Sequence, residues 1–250
     1  MFDLTGRVAL VTGAGQSVGA GIARALAGQG AAVAVNDVVA ERASSTAAAI
    51  EAAGGRAVAA PFDVTDRAAV ADGIAAVVGT LGPIDVLVNN AGNAGAPGMV
   101  VAQFRDLGPE HWDRYVDVNL WGVVHCTAAV LDGMCERGWG RIITISSEAG
   151  VVGLRLGVAL YGAAKSGANG FMRHVAIENA RNGVTANSLA LGLMGVQEIT
   201  ERTRSMAAAV PVGRLGTPDD VGAACVWLAS DEAAWCTGQT IGLNGGAHTT

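Results

Sequence analysis

The chain has 250 residues, 51% of them hydrophobic but only 4% aromatic, with 36 glycines and a formal net charge of −6. That length can bury the core of one large α/β domain. The acidic balance, with no Lys/Arg run, argues against a nucleic-acid partner or an anionic membrane surface. Cys126, Cys135, Cys225 and Cys236 show no CxxC spacing, and His111, His125, His174 and His248 form no ligand motif. Reduced cysteines and no metal site are therefore expected. With no signal-peptide pattern at Met1–Arg7 and no uninterrupted apolar run near 18 residues, a cytoplasmic protein is expected.

Along the chain, short β-branched runs alternate with longer helical patterns. Arg7–Thr12 (RVALVT) reads as a strand buried on both faces. Gly13–Gly21 opens a helix whose apolar positions are Val18, Ile22, Ala25 and Leu26. Ala32–Val35 is a second strand ending at Asn36 and Asp37, and an alanine-rich helix follows to about Ala53. Next come strand Ala57–Ala60, the Phe62-Asp63-Val64 turn, a helix from about Asp66 to Val78, and strand Val86–Val88 running into Asn89-Asn90-Ala91-Gly92. This β-α-β-α-β order with short connections implies a parallel sheet with helices on both faces. Asn93–Leu107 is a Gly-rich loop, and Pro109 begins a long helix running to about Cys135. Arg141–Ser146 is the fifth strand, followed by the helix that carries Tyr161 and Lys165. Val184–Ala190 is the sixth strand, Gly192–Val212 a mixed segment, Asp219–Leu228 a helix and Thr240–Leu243 a last strand. No low-complexity linker interrupts this order, so residues 1–250 are expected to form one domain.

Two stretches carry chemistry. In Tyr161-Gly162-Ala163-Ala164-Lys165, a tyrosine and a lysine four apart project from one helix face. An ammonium beside a phenol favours the phenolate, and a phenol tuned toward neutral pH can serve a carbonyl/alcohol couple as general acid or base. The bland alternative is a half-buried ring with a solvated amine. In the first β–α turn, Thr12-Gly13-Ala14-Gly15-Gln16-Ser17-Val18-Gly19, glycines let the backbone approach a pyrophosphate at a helix N-terminus. Asp37 ends the second strand, 24 residues after Gly13. A carboxylate there can accept from both ribose hydroxyls of an adenosine and would repel a 2′-phosphate, favouring NAD over NADP. The competing reading is a cap for the following helix.

Taken together, these pieces resemble the short-chain dehydrogenase/reductase family from about Leu4 to Gly246. The family's order is kept in Thr12-Gly13…Gly19, Asp37, Asp63-Val64, Asn89-Asn90-Ala91-Gly92, Asn119, Ile145-Ser146-Ser147, Tyr161…Lys165, Asn187…Gly192 and Asn244-Gly245-Gly246. The resemblance implies a single-domain, doubly wound (Rossmann-like) seven-stranded parallel sheet and a homotetramer. It also implies a catalytic set of Asn119, Ser147, Tyr161 and Lys165. Tyr161 would exchange the proton with the substrate oxygen, which Ser147 would hydrogen-bond. Lys165 would depress the Tyr161 pKa and hold the nicotinamide ribose, and Asn119 would steady a water between Lys165 and solvent. The choice of Ser147 over Ser146 rests on the family's ISS pattern. The implied dinucleotide site comprises Gly13, Gly15, Ser17, Val18, Gly19, Asp37, Asp63, Val64, Asn90, Ala91, Gly92, Tyr161, Lys165 and Met194.

Four departures from the family pattern stand out. Ser17 replaces the middle glycine. Leu191 replaces a proline, which is expected to loosen the loop after the sixth strand. Val196 replaces a threonine that often contacts the nicotinamide amide. Ser147 and Tyr161 are 14 apart, so Val151–Leu160 is expected to bulge near the substrate.

The substrate is expected among the 93–101 loop, the 148–158 segment and a 193–212 lid. Their small and apolar residues (Ala94, Ala96, Met99, Val151, Val152, Leu154, Leu193, Met194) suit a hydrophobic secondary alcohol and its ketone. The second choice is a 3-oxoacyl thioester, whose CoA or carrier phosphate Arg155, Arg202 or Arg204 would meet. A dinucleotide-binding protein without turnover is the remaining class, disfavoured by the intact Asn–Ser–Tyr–Lys set. Glu148, beside Ser147, is expected to be solvated or supporting.

Overall fold

The computed structural model describes residues 1–93, 99–195 and 200–249, the side chain of Arg202 excepted. Seven strands form one sheet: β1 (Val8–Val11), β2 (Ala32–Val35), β3 (Arg56–Ala59), β4 (Val86–Asn89), β5 (Gly140–Ser147), β6 (Val184–Leu191) and β7 (Thr240–Leu243). All neighbours pair in parallel, in the order β3-β2-β1-β4-β5-β6-β7. The strand order reverses between β1 and β4. At such a switch point the loops leaving the carboxyl ends diverge and open a crevice.

The helices are α1 (Ser17–Gly28), α2 (Ala40–Ala52), α3 (Arg67–Leu81), α4 (Asp113–Val116), α5 (Gly122–Glu136), α6 (Ala159–Asn179), α7 (Glu201–Ala208) and α8 (Pro218–Ala229). Alternation along the strands divides the interior in two. Ala9, Val11, Val33 and Val35 pack with Ile22 and Leu26 of α1, Ile50 of α2 and Val221 of α8. Val8, Leu10 and Leu87 point the other way, onto Val70 and Ile74 of α3, Val123 and Met134 of α5, and Met172 of α6. Each fully buried Leu or Ile in these layers contributes on the order of 2 kcal/mol. The doubly wound sheet expected from the sequence is the observed one.

Two boundaries move for local reasons. Asp66 caps α3 rather than joining it, its carboxylate accepting the N–H groups of Ala68 (2.8 Å) and Ala69 (3.1 Å). The long helix expected from Pro109 is broken into a 3-10 turn (Pro109–His111), α4, a π-helical turn (Asp117–Trp121) and α5. Asn119 Nδ2 donates to the Tyr115 carbonyl at 2.9 Å. A side-chain amide on that carbonyl competes with the regular helix ladder and widens the turn. By length and composition the run Pro109–Glu136 could cross a membrane, yet α5 lies on the sheet beside α3 and buries Val123, Cys126, Val130 and Met134.

Candidate active site

The expected site residues gather at the carboxyl ends of the strands. The turn after β1 is fixed by hydrogen bonds on three sides. Thr12 Oγ1 accepts the N–H groups of Asn90 and Ala91, both at 3.0 Å. The Asn90 amide donates back to the carbonyls of Thr12 (2.8 Å) and Gly13 (3.0 Å). Asn36 Oδ1 accepts from Gly13 N at 3.3 Å, while its Nδ2 donates to the Ala60 and Phe62 carbonyls. Gly13 has φ +61°, and a Cβ on Gly19 would lie 2.3 Å from the Gly13 oxygen. Only glycine fits where the helix start and the turn press together. Ser17 also adopts a left-handed φ, +47°. The conformation that the family meets with glycine is kept here by a serine, at a cost of about 1 kcal/mol.

Asp37 is only 6% exposed. Its Oδ2 accepts from Gly15 N at 3.2 Å and its Oδ1 from Val39 N at 2.9 Å. The cap reading does not hold, since Val39 is the N-cap of α2 and no side chain caps that helix: the carboxylate instead ties the glycine turn to the residue before α2 and keeps lone pairs for further donors. Arg42, which sequence reading missed, stands at the same edge; a Cβ on Gly15 would lie 2.5 Å from Arg42 Cβ. Its signal was a cation five residues past Asp37, in the first turn of α2. Asp63 is exposed and turns its Oδ1 to Thr65 N and Oγ1, both at 2.8 Å. Val64 is buried against Gly122. Glycines in close approach, a helix N-terminus and a buried carboxylate with acceptor capacity fit a dinucleotide.

On the other side of the crevice, α6 presents Tyr161 and Lys165 from one face as their spacing requires, 7% and 4% exposed. Lys165 Nζ donates to the Ile145 carbonyl at 2.8 Å and sits 5.8 Å from the Tyr161 ring centroid. Burial lowers the ammonium from 10.5 to about 8. The Tyr161 phenol departs from expectation: burial raises its pKa, and a hydrogen bond with Ser147 lowers it in part. Lys165 makes no bond to the phenol here, and desolvation of the ring dominates. Ser147 ends β5, and its Oγ also accepts from Ala149 N at 3.2 Å. Two O–H groups so paired can both turn to one carbonyl oxygen.

Asn119 is fully buried; its Nδ2 donates to Asn93 Oδ1 (2.7 Å) and to the Tyr115 carbonyl, and its Oδ1 has no protein partner. A Cβ on Gly92 would lie 3.0 Å from that Oδ1 and 3.6 Å from Lys165 Nζ. The space beside Gly92, where a side chain would stand, is thus bordered by both groups, and a buried acceptor here suits a small polar bridge toward the ammonium. Asn93 joins the set through side-chain bonds that the sequence gives no way to see.

The departures resolve unevenly. At Leu191, β6 is still paired with Leu243, and Gly192 N donates to the Leu243 carbonyl. Met194 packs partly buried and pairs with Gly216 across a short parallel bridge. Val196, Ala94 and Ala96 lie outside the described residues. The segment after Ser147 opens with a 3-10 turn (Glu148–Gly150) and encloses, against Gly162, Ala163 and Ser166, a cavity of about 450 Å³. None of the four expected catalytic side chains lines it. Glu148 Oε1 is buried without a protein partner, so it is not simply solvated.

A family model described as enoyl-(acyl carrier protein) reductase matches residues 13–248. The chain belongs to the short-chain dehydrogenase/reductase family. It is an oxidoreductase of that family, and the resemblance in its motifs extends along the whole chain. It is 42% identical to an acetoacetyl-CoA reductase of Shinella zoogloeoides, over 96% of this chain and 98% of the relative. It is 36% identical to the 3-oxoacyl-[acyl-carrier-protein] reductase FabG of Escherichia coli, over 98% and 99%. Its structure superposes with a TM-score of 0.90 on a gluconate 5-dehydrogenase of Burkholderia cenocepacia in complex with NADP and tartrate, at 34% identity over 98% of this chain and 96% of that one.

Proposed function

We propose that this chain reduces a 3-oxoacyl thioester to the corresponding 3-hydroxyacyl thioester. The observation that carries the proposal is the buried Tyr161 phenol, whose pKa the half-buried Ser147 hydroxyl at the end of β5 lowers in part, on the crevice opposite the glycine turn. A reduced nicotinamide supplies the hydride. Ser147 then donates a hydrogen bond to the carbonyl oxygen as negative charge grows there, and Tyr161 delivers the proton. A phenol held protonated by burial is suited to the donor role. Lys165, next to Tyr161 and close to Gly92, stabilises the phenolate left behind and draws its replacement proton past Asn119. Of the two substrate classes expected from the sequence, the thioester is the better supported, since two relatives are named for acetoacetyl-CoA and 3-oxoacyl-carrier substrates. Arg155 and Arg204 are exposed and suit the phosphates of such a carrier.

For the cofactor, the Asp37 carboxylate supports NAD(H) over NADP(H), and Arg42 opposes it from the same edge. Exposed Trp121 on the π-helical turn and Ile177 on α6 support assembly with further copies, a homotetramer in this reading. The test is a matrix of kcat/KM values for acetoacetyl-CoA and unactivated apolar ketones, each with NADH and NADPH. The proposal expects acetoacetyl-CoA with NADH to lead. Preference for an unactivated ketone would overturn the substrate assignment, and an NADPH preference that Asp37→Ala leaves unmoved would overturn the role of Asp37.

A further inference from the structure

Tyr115 belongs to none of the expected sets, yet it joins three parts of the site. It lies one turn before Asn119 and is 2% exposed. Its carbonyl accepts the Asn119 amide. Its ring shares a small apolar cluster with Leu107 and Tyr161, against which Met99, Val100 and Leu160 pack. Its hydroxyl donates to the Val100 carbonyl. A buried phenol must place its hydroxyl on an acceptor, so this bond selects one position for Val100.

Val100 belongs to the 99–107 segment, which is bound at its near end to the loop before α6. Ala102 N donates to the Gly157 carbonyl at 3.1 Å. Gly157 has φ +67°, and a Cβ there would lie 2.7 Å from the Ala102 carbonyl carbon and oxygen, so the two backbones touch. The far end is held separately: Trp112 Nε1 donates to the Leu107 carbonyl at 3.2 Å and its ring stacks on Phe104. The segment is thus a wall beside Tyr161, held among the described residues by Tyr115 and Gly157 toward one end and by Trp112 toward the other.

We propose that Tyr115 is a positioning residue that fixes the Met99–Gln103 end of this wall over Tyr161, so that its hydroxyl governs substrate capture rather than proton delivery. The proposal rests on reading Tyr161 as the proton donor to a bound carbonyl. Tyr115→Phe keeps the ring and removes only the hydroxyl bond to the Val100 carbonyl. Steady-state kinetics with acetoacetyl-CoA and NADH should show substrate KM raised roughly fivefold to tenfold, the worth of one buried hydrogen bond. The kcat, its pH profile and the KM for NADH should stay within about twofold. Amide hydrogen exchange should quicken in peptides covering 99–103 but not in 104–107.

Gly157→Ala attacks the same anchor from the other segment and should raise substrate KM in the same way, which keeps the test open if Tyr115→Phe folds poorly. Unchanged exchange at 99–103, or an unchanged substrate KM in both variants, would overturn the proposal. So would a shifted pH profile with KM unmoved, which would place Tyr115 in the proton path. If the parent reduces no carbonyl, the reading of Tyr161 fails and the substrate-capture claim falls with it, while the exchange comparison alone decides the anchor.

Discussion

Lys165→Met isolates what the fold gives up to keep an ammonium inside. Burial lowers the Lys165 pKa from 10.5 to about 8. One unit corresponds to about 1.4 kcal/mol, so at pH 7 the folded state carries a penalty on the order of 3 kcal/mol. The sign follows from the protons held. Between about pH 8 and 10.5 the unfolded chain keeps a proton that the folded chain has released, so stability rises with pH across that window. At pH 9.5 the remaining penalty is about 1 kcal/mol. Methionine removes the charge at similar length but strands the Ile145 carbonyl that Nζ holds at 2.8 Å, a loss of about 1–3 kcal/mol at every pH. The two terms nearly cancel at pH 7; their pH dependence does not. Urea unfolding of the ligand-free protein should show the parent gaining about 2 kcal/mol on Lys165→Met between pH 7 and 9.5. A difference constant within about 0.5 kcal/mol, or one of opposite slope, would refute the account of a desolvated lysine.

Ser17 holds a left-handed φ of +47°, so Ser17→Gly should be more stable than Ser17→Ala by about 1 kcal/mol, or roughly 2–4 °C in Tm. Equal melting temperatures would show that the turn relaxes without cost. Gly19→Ala places a Cβ 2.3 Å from the Gly13 oxygen, backbone that cannot swing aside. NADH titration should show affinity weakened at least about tenfold, equivalent to about 1.4 kcal/mol; parental affinity would show that the turn is not the cradle. Thr217 caps α8 by accepting from Asp220 N, in a reciprocal box with the Asp220 carboxylate. Thr217→Ala should cost about 1 kcal/mol by denaturant titration and leave kcat alone.

Periodicity made the sheet and the pairing of Tyr161 with Lys165 legible, because residues four apart on a helix must share a face. Glycine at Gly13 and Gly19 was legible for the same kind of reason, since the chain reserves it for close approach. What escaped depends on three-dimensional neighbours. Asn36, Asn93 and Arg42 act through bonds and contacts to segments 21 or more residues away, or across a turn, which no spacing rule encodes. The direction of the Tyr161 pKa is not legible because a sequence displays charges but not desolvation, and here burial outweighs the lowering effect of Ser147. The Pro109 helix reads as continuous because its apolar pattern persists through the π-helical turn that Asn119 and the Tyr115 carbonyl accompany.

In the proposed reaction Tyr161 gives a proton to a carbonyl oxygen held by Ser147. The decisive measurement is acetoacetyl-CoA reduction at 340 nm in the parent and in Tyr161→Phe, with NADH affinity measured on both by fluorescence titration. Loss of a positioned acid predicts a kcat lower by about 10²–10⁴-fold with NADH affinity within about twofold of the parent. A variant that turns over at near-parental rate would contradict the assignment.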